Sequence, residues 1–469
     1  MAKRIFVWAG FALFFSVFQY AQPNLKFWLE NDLELKKLAL ELEKAQLSNQ
    51  ETKISNGISV QLASGSVSFQ PNDKGSKVSF SPSGTISVPF AANLSLKGAS
   101  KVQISEETNT VTDTAISISA DIFSSSGLKR KITALQSQRT LLEAQRAFKE
   151  RAVESETEFY KELKELFSSA SEIVSAKNDL YDDTIEFEKI KSKGFEKTSA
   201  SYRQAQMKVL SDSHTVETKV RQLEHKIAVF ASKCGSDYKK GSNPFDFLPN
   251  SIPEVDSVDV LSFKKENYKK IEQANWNIQM AELQVKAEKS FSLSANAGYT
   301  FENSNAAPAN GKNPDTIDAG LSSSYKGINV AGGISVPVDS QNKNPVYTLS
   351  ASVNPAAFFT NNISKKKTQI TLKEEKLALE SALDDYETDL VDCQTELADI
   401  NWQKETNIHT FGLYSSLEND LAKYLKEGII TESEYNSSAA NKELYRIKIL
   451  INAIDLIIFN NQTKLLFCE

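Results

Sequence analysis

The residues that could do chemistry are few, and their spacing excludes most of it. His214 and His225 lie eleven apart, sharing a helix face but three turns from each other, too far for one metal ion; His409 is remote from both. Cys234, Cys393 and Cys468 form an odd, sparse set, neither a disulfide framework nor a zinc site, and read as thiols packed like small hydrophobes. Met207 and Met280 are the only methionines after Met1, which argues against a thioether path for copper. HExxH, CxxC and GxxxxGKS/T are absent, and Gly311-Lys312 is followed by Asn313, so no phosphate-cradling loop is complete. The acidic pairs Asp182-Asp183 and Asp384-Asp385 fall in helical stretches and read as solvated faces. The expectation is no enzyme, no cofactor and no metal.

What the chain has instead is length without breakers. Glycine and proline supply 30 of 469 residues, about 6% against ~12% in ordinary proteins. No proline occurs between Pro89 and Pro244 or after Pro355, and Gly194 is the only glycine between Gly127 and Gly235. Such stretches exclude a compact α/β enzyme and predict helices of unusual length. With 40% hydrophobic and 24% charged residues the chain is not disordered. A net charge of −6, without a basic patch, calls for no nucleic acid.

The first residues carry an address. Lys3-Arg4, the apolar run Ile5–Phe18 and then Tyr20-Ala21-Gln22 predict a secretory signal over 1–21, too short to span a membrane and lacking a nearby cysteine for a lipid anchor.

Beyond it, one unit occurs twice. Glu30-Asn31 followed by Leu35, Leu42, Ala45 and Leu47 recurs 236 residues on as Glu266-Asn267 followed by Ile271, Ile278, Ala281 and Leu283. Phe123 with Lys129-Arg130-Lys131 recurs as Phe359 with Lys365-Lys366-Lys367, Gly194 as Gly428, and Cys234 as Cys468. The predicted organisation is a first repeat over 22–242, a linker over 243–257 rich in turn residues, and a second repeat over 258–469.

Each repeat reads as helix, strand region, very long helix, turn and return helix. The strand regions are 57–123 and 291–353. Within them Phe291, Leu293, Ala295, Ala297, Tyr299 and Phe301 alternate with small polar residues, as do Ile116, Ile118, Ala120 and Ile122. In a secreted chain, segments of ~9–11 residues with one apolar face suit tilted membrane strands beside a wet lumen. Outward helices over 127–194 and 361–427 would each reach ~100 Å. Each return, ending near Cys234 and residue 465, is too short alone. The helix at 258–289 is expected to complete the first return and the N-terminal helix the second. Two spanning strands per repeat make about four per chain, too few to close a barrel, so copies must share one. Segments 78–96 and 328–338 are expected to be external hairpins; if they spanned, eight strands could close in one chain. Pro355, in Asn354-Pro355-Ala356-Ala357, is expected to bulge the last strand.

The repeat, Asp121-Ile122-Phe123-Ser124 before a basic helix start, and glycine at both helical turns resemble the TolC-like outer membrane efflux family over about 24–467. The resemblance implies an α+β membrane protein: a homotrimer whose shared β-barrel is continued by an α-helical barrel in the periplasm. It implies an exit duct for an inner-membrane pump, in tripartite efflux or type I secretion, docked through a periplasmic adaptor protein. The family's adaptor-contact turns correspond to Lys193-Gly194-Phe195 and Glu427-Gly428-Ile429, which keep the glycine and the apolar residue after it. Its tunnel gate corresponds to Glu434, with Glu432 nearby, while the first turn has Ala200. Lys129, Arg130, Lys131, Lys365, Lys366 and Lys367, with Phe123, Phe358 and Phe359, are expected at the membrane interface, near lipid phosphates. A secreted or periplasmic coiled-coil adhesion protein with a β head is the other reading of the same pattern.

Overall fold

Freedom from helix breakers produces two helices of 67 and 72 residues. In the computed structural model the described residues are 23–71, 76–105, 109–239, 243–288, 291–301, 315–338 and 344–468. The expected signal at 1–21 and Gly311-Lys312-Asn313 lie outside them. In order the elements are α1 (Pro23–Asn31), α2 (Leu33–Ser55), β1 (Ser59–Ala63), β2 (Val67–Gln70), β3 (Lys77–Phe80), β4 (Ser83–Val88), β5 (Leu94–Ser105), β6 (Asn109–Phe123), α3 (Ser126–Ser192) and α4 (Ala200–Lys233). After a stretch of 3-10 turns follow α5 (Lys269–Ala287), β7 (Phe291–Phe301), β8 (Thr316–Tyr325), β9 (Ile328–Pro337), β10 (Val346–Val353), α6 (Pro355–Lys426) and α7 (Glu432–Leu465). The return helices α4 and α7 are 34 residues each.

The chain divides into two compact units, one of Met1–Leu40, Arg146–Glu272 and Leu383–Glu469, the other of Glu41–Gln145 and Gln273–Ala382. Among the described residues no helix is long and apolar enough to cross a membrane.

The first unit is helical. Phe159, Leu163, Leu166, Phe167, Ala170 and Ile173 recur at three- and four-residue steps on α3, and all are buried. They join a core with Leu25 and Leu29 of α1, Leu223, Ile227 and Phe230 of α4, and Ile447 and Ile454 of α7. The segment expected as a linker is part of this core: Asn243 caps a 3-10 turn at Pro244–Phe247, and Leu248 and Ile252 are buried. Cys234 and Cys393 are buried free thiols, and burial pushes the Cys234 thiol up to about 12.

The end-to-end stacking is the reverse of the one expected. The C-terminal end of α7 meets α5, with the Lys269 N–H donating to the Leu466 carbonyl at 2.9 Å and the Cys468 N–H to the Asn267 carbonyl at 2.8 Å. Phe263 stacks on Phe467 at 4.4 Å. The end of α4 meets α1 instead, with Phe230 6.0 Å from Trp28 and the Lys233 ammonium over the Trp28 ring. Each return helix is thus completed by the short helix of the other pairing, which apolar periodicity alone does not specify.

The second unit is built on one antiparallel sheet of ten strands in the order β1-β4-β5-β6-β7-β8-β9-β10, with β2 on β3 and β3 on β5. Because β1 and β2 pair with β4 and β3, and both of those with β5, the ten strands make eight passes. Four spanning strands were expected. Residues 78–96 and 328–338 are not external hairpins; they run in the sheet as β3, β4, the start of β5, and β9. Pro82 and the Ser64–Ser66 break divide single passes into short strands, which conceals them in the sequence. Pro355 makes no bulge either. It is the first residue of α6, where its missing N–H costs nothing, and the Asn354 side chain accepts from the Ala357 N–H at 3.3 Å.

Candidate functional site

The sheet has two chemically distinct faces, fixed by register. Ile116 and Ile118 of β6 stand opposite Tyr299 and Ala297 of β7, which stand opposite Ile317 and Ala319 of β8, and these opposite Val336 and Ile334 of β9. The row continues to Tyr347 on β10 and, at the other edge, through Leu96 and Ile86 to Val60 on β1. This face carries no charge on the residues just traced, and most of its large side chains are exposed, Leu349 at 83%, with Tyr299, Ile334 and Val336 half-buried. Opposite lie Ser117, Ser119, Ser294, Ser322, Ser324, Thr348 and Ser350, with Lys97, Asp121 and Asp318. Alternation, interrupted by register shifts beside Ala99 and Asp121, yields one largely apolar wall and one of mostly small polar residues.

At the end where the strands adjoin the unit's helices, β8 and β9 are joined by Lys326-Gly327, both at positive φ, and β4 and β5 by Pro89–Asn93.

The first basic cluster sits at this helix end. Arg130 donates to the Asn93 side-chain oxygen and to the Pro89 carbonyl, holding the β4–β5 turn. Asp121 completes the joint, accepting from Asn93 at 2.5 Å, Ser294 at 2.9 Å and Ser126 at 3.2 Å. Arg130 is therefore engaged within the chain, while Lys129 and Lys131 are exposed. Lys365, Lys366 and Lys367 are exposed as well, three turns into α6, because that helix begins at Pro355. Phe123 is 60% exposed with its ring 6.5 Å from Phe291, which pairs with Tyr325. Phe359 is 67% exposed; the Phe358 side chain lies outside what is described.

The two helical turns belong to the other unit. Gly194 and Gly428 have φ of +76° and +69°, the left-handed geometry that ends a helix, and nothing lies within 4 Å of either Cβ position. At the second turn the Ile429 N–H reaches the Tyr424 carbonyl at 2.9 Å and the Gly428 N–H the Leu425 carbonyl at 3.1 Å, a full Schellman closure. Phe195 and Ile429, the residues after each glycine, are exposed at 46% and 65%.

Glu432 and Glu434 stand in the first turn of α7, where the helix dipole favours carboxylates. Glu434 is more than a solvated acid. Its carboxylate accepts from the Thr431 N–H at 2.9 Å while the Thr431 hydroxyl accepts from the Glu434 N–H at 3.3 Å, a closed capping box. Sequence reasoning missed Thr431, although Thr431-Glu432-Ser433-Glu434 has the capping spacing that signals it. It named Arg130 only for the membrane interface, and no local signal marks Asn93 and Pro89 as its partners.

Paired long helices and an antiparallel sheet, laid out twice along the chain, are the fold of the TolC-like outer membrane channels. The open-state crystal structure of the Neisseria gonorrhoeae MtrE outer membrane channel is similar to it over 95% of this chain and 89% of that one, with a TM-score of 0.50 and 11% identity. The Campylobacter jejuni CmeC outer membrane channel has a TM-score of 0.44 at 12% identity, covering 94% of this chain and 85% of its own. The outer membrane protein VceC of Vibrio cholerae has 0.41 at 14%, covering 94% and 92%. No curated protein matches the chain in sequence. Residues 25–252 match the TP096X N-terminal domain and 253–469 the TP096X C-terminal domain, and the chain belongs to that family.

Proposed function

We propose that this protein is an outer membrane exit duct, a homotrimer that passes substrates from an inner-membrane pump through a periplasmic adaptor, in tripartite efflux or type I secretion. The observation that carries the reading is the uncharged apolar face running across all eight passes, backed by a wall of serine, threonine and glycine. Lipid on one side and water on the other require that arrangement, and an adhesive β head does not. In this reading the duct does no chemistry; its work is selection by width and charge.

The turns at Gly194 and Gly428 present Phe195 and Ile429 to the adaptor. Three copies of Glu432 and Glu434 ring the tunnel entrance and favour cations. Phe123, Phe358 and Phe359 seat the protein at the membrane interface, with Lys129, Lys131 and Lys365–Lys367 toward lipid phosphates.

Negative-stain imaging with native mass of the detergent-extracted protein tests the assembly. A threefold particle with a tube of ~100 Å is expected. A soluble monomer, or a rod without a barrel, would overturn the proposal.

A further inference from the structure

We infer that the barrel is closed between copies by β10 of one chain pairing with the β1–β2 edge of the next, each chain giving eight strands, so that three chains build a barrel of twenty-four. The inference rests on the trimeric duct reading above and adds to it the number of strands and the edges that join.

Among the described residues β1 pairs only with β4 and β10 only with β9, so both outer strands present an unpaired backbone. Neither edge has the protections of a solvated sheet. The sequence of β10, Val346 to Val353, has no charge, proline or bulge, and β1 has none. In hydrocarbon an unpaired edge is not tolerated, so something must cover these two.

The occupant is a second copy rather than the chain's own opposite edge. An eight-stranded barrel is filled by inward side chains, whereas the wall here is mostly serine, threonine, glycine and alanine, with few longer side chains such as Lys97 and Asn296, too little to fill so small a barrel. Eight is also an even number of passes, so β10 runs antiparallel to β1 and head-to-tail addition of copies continues an antiparallel sheet. A register placing Val60 opposite Ala351 and Leu62 opposite Leu349 carries the apolar face across the joint and sets Gln61 opposite Ser350 on the polar side. Barrel width grows with strand number, so this pore is wider than a twelve-stranded one and the narrowest point falls to the helices.

The test uses full-length protein with Cys234, Cys393 and Cys468 changed to Ala. One chain carries Gln61→Cys and a co-produced, differently tagged chain carries Thr348→Cys, Ser350→Cys or Ser352→Cys, covering the neighbouring registers that preserve the faces. Oxidation with copper phenanthroline is expected to link the two tagged chains at one of these registers. The chain bearing both cysteines is then expected to run as a covalent ladder up to the full particle. A covalent link confined within single chains would overturn the proposal in favour of self-closure. No link at any register, in particles whose native mass is trimeric, would overturn the joint while leaving the duct reading intact. End-on images of the unmodified protein give a second readout: a circumference about twofold that of a twelve-stranded barrel is expected, and one matching twelve strands would overturn the count.

Discussion

The two repeats solve one problem with different chemistry. In each, a short helix starts at the end of a return helix and must be anchored to a long outward one. In the first repeat the anchor is ionic: Asp32 caps α2, accepting from the Glu34 and Leu35 N–H groups at 2.8 and 3.1 Å, and pairs with Arg151 of α3 at 2.8 Å. Burial pushes the Asp32 carboxyl up, but the Leu35 N–H, the Ser155 hydroxyl and the Arg151 guanidinium together hold it below the ordinary carboxylate value. At the equivalent place in the second repeat, 236 residues on, stands Tyr268, fully buried between Tyr386 and Phe467, its hydroxyl donating to Asp389 at 2.6 Å. Repetition conserves where the chain turns; it does not conserve how the turn is held.

That difference sets the largest expected effect. Arg151→Met leaves the nearly buried Asp32 carboxylate without its cation, and removing one partner of such a pair costs about 3 kcal/mol. Tyr268→Phe keeps the aromatic packing and loses one hydrogen bond to a charged acceptor, about 1.5 kcal/mol. Thermal unfolding of the detergent-solubilised protein, followed by circular dichroism, should rank Arg151→Met well below Tyr268→Phe. Equal losses would mean the two junctions are energetically alike despite their chemistry.

The turns sharpen the comparison at a lower level. Valine at Gly194 or Gly428 must adopt the left-handed conformation, at about 1–2 kcal/mol, and with nothing within 4 Å the cost is conformational alone. Fraying is expected to be greater in Gly428→Val, which also disrupts the Schellman closure. Below this lies capping. Thr431→Ala opens a two-way box and should cost about 1 kcal/mol. Ser199→Ala removes only the 3.3 Å bond to the Tyr202 N–H and should cost less. Hydrogen exchange in the first turns of α4 and α7 reads both, and equal deprotection would show that the box adds nothing to a single cap.

How much of this is legible in the sequence depends on whether the determinant is local. The long helices are, because Gly194 and Gly428 are the only breakers at their ends, and expected limits of 127–194 and 361–427 became Ser126–Ser192 and Pro355–Lys426. The strand regions are too, since alternation such as Phe291 to Phe301 is a two-residue signal. Strand number is not, because Pro82 and the Ser64–Ser66 break divide passes into pieces that resemble loops, and only pairing across the sheet reveals them. Nor are the stacking partners, since Leu466 and Lys269 lie far apart in sequence and meet through backbone groups that every residue carries. Arg130 shows the same limit at the site: its basic neighbours predict a surface, but its partners Pro89 and Asn93 come from a turn some forty residues earlier.

The smallest expected effect separates the two hairpins by pH. Lys208 of α4 pairs with Asp183 of α3, and Lys442 of α7 with Glu418 of α6 at 2.6 Å, so each hairpin has such a clasp on the side of its turn. Only the first adds a second acid. Asp212 is pushed up to about 6, chiefly by its hydrogen bond to the Asp183 carboxyl, then by burial and by the Asp183 charge. Burial raises Asp183 as well, but its bonds to Asp212 and Lys208 hold it below the ordinary value. A carboxyl raised on folding stabilises fully below its unfolded value of 3.8, and that contribution is lost as pH rises through about 6. Asp183, lowered on folding, contributes above 3.8 and changes in stronger acid, so between pH 5 and 7.5 the change within this pair is the loss of the proton held at Asp212. Hydrogen exchange across 183–212, corrected for the intrinsic pH dependence, should quicken roughly twofold over that range, the effect being small because solvent screens the pair. Exchange across 418–442 should not change, and Asp212→Asn should abolish the difference. A response of equal size in both hairpins would place its origin outside the Asp183–Asp212 pair.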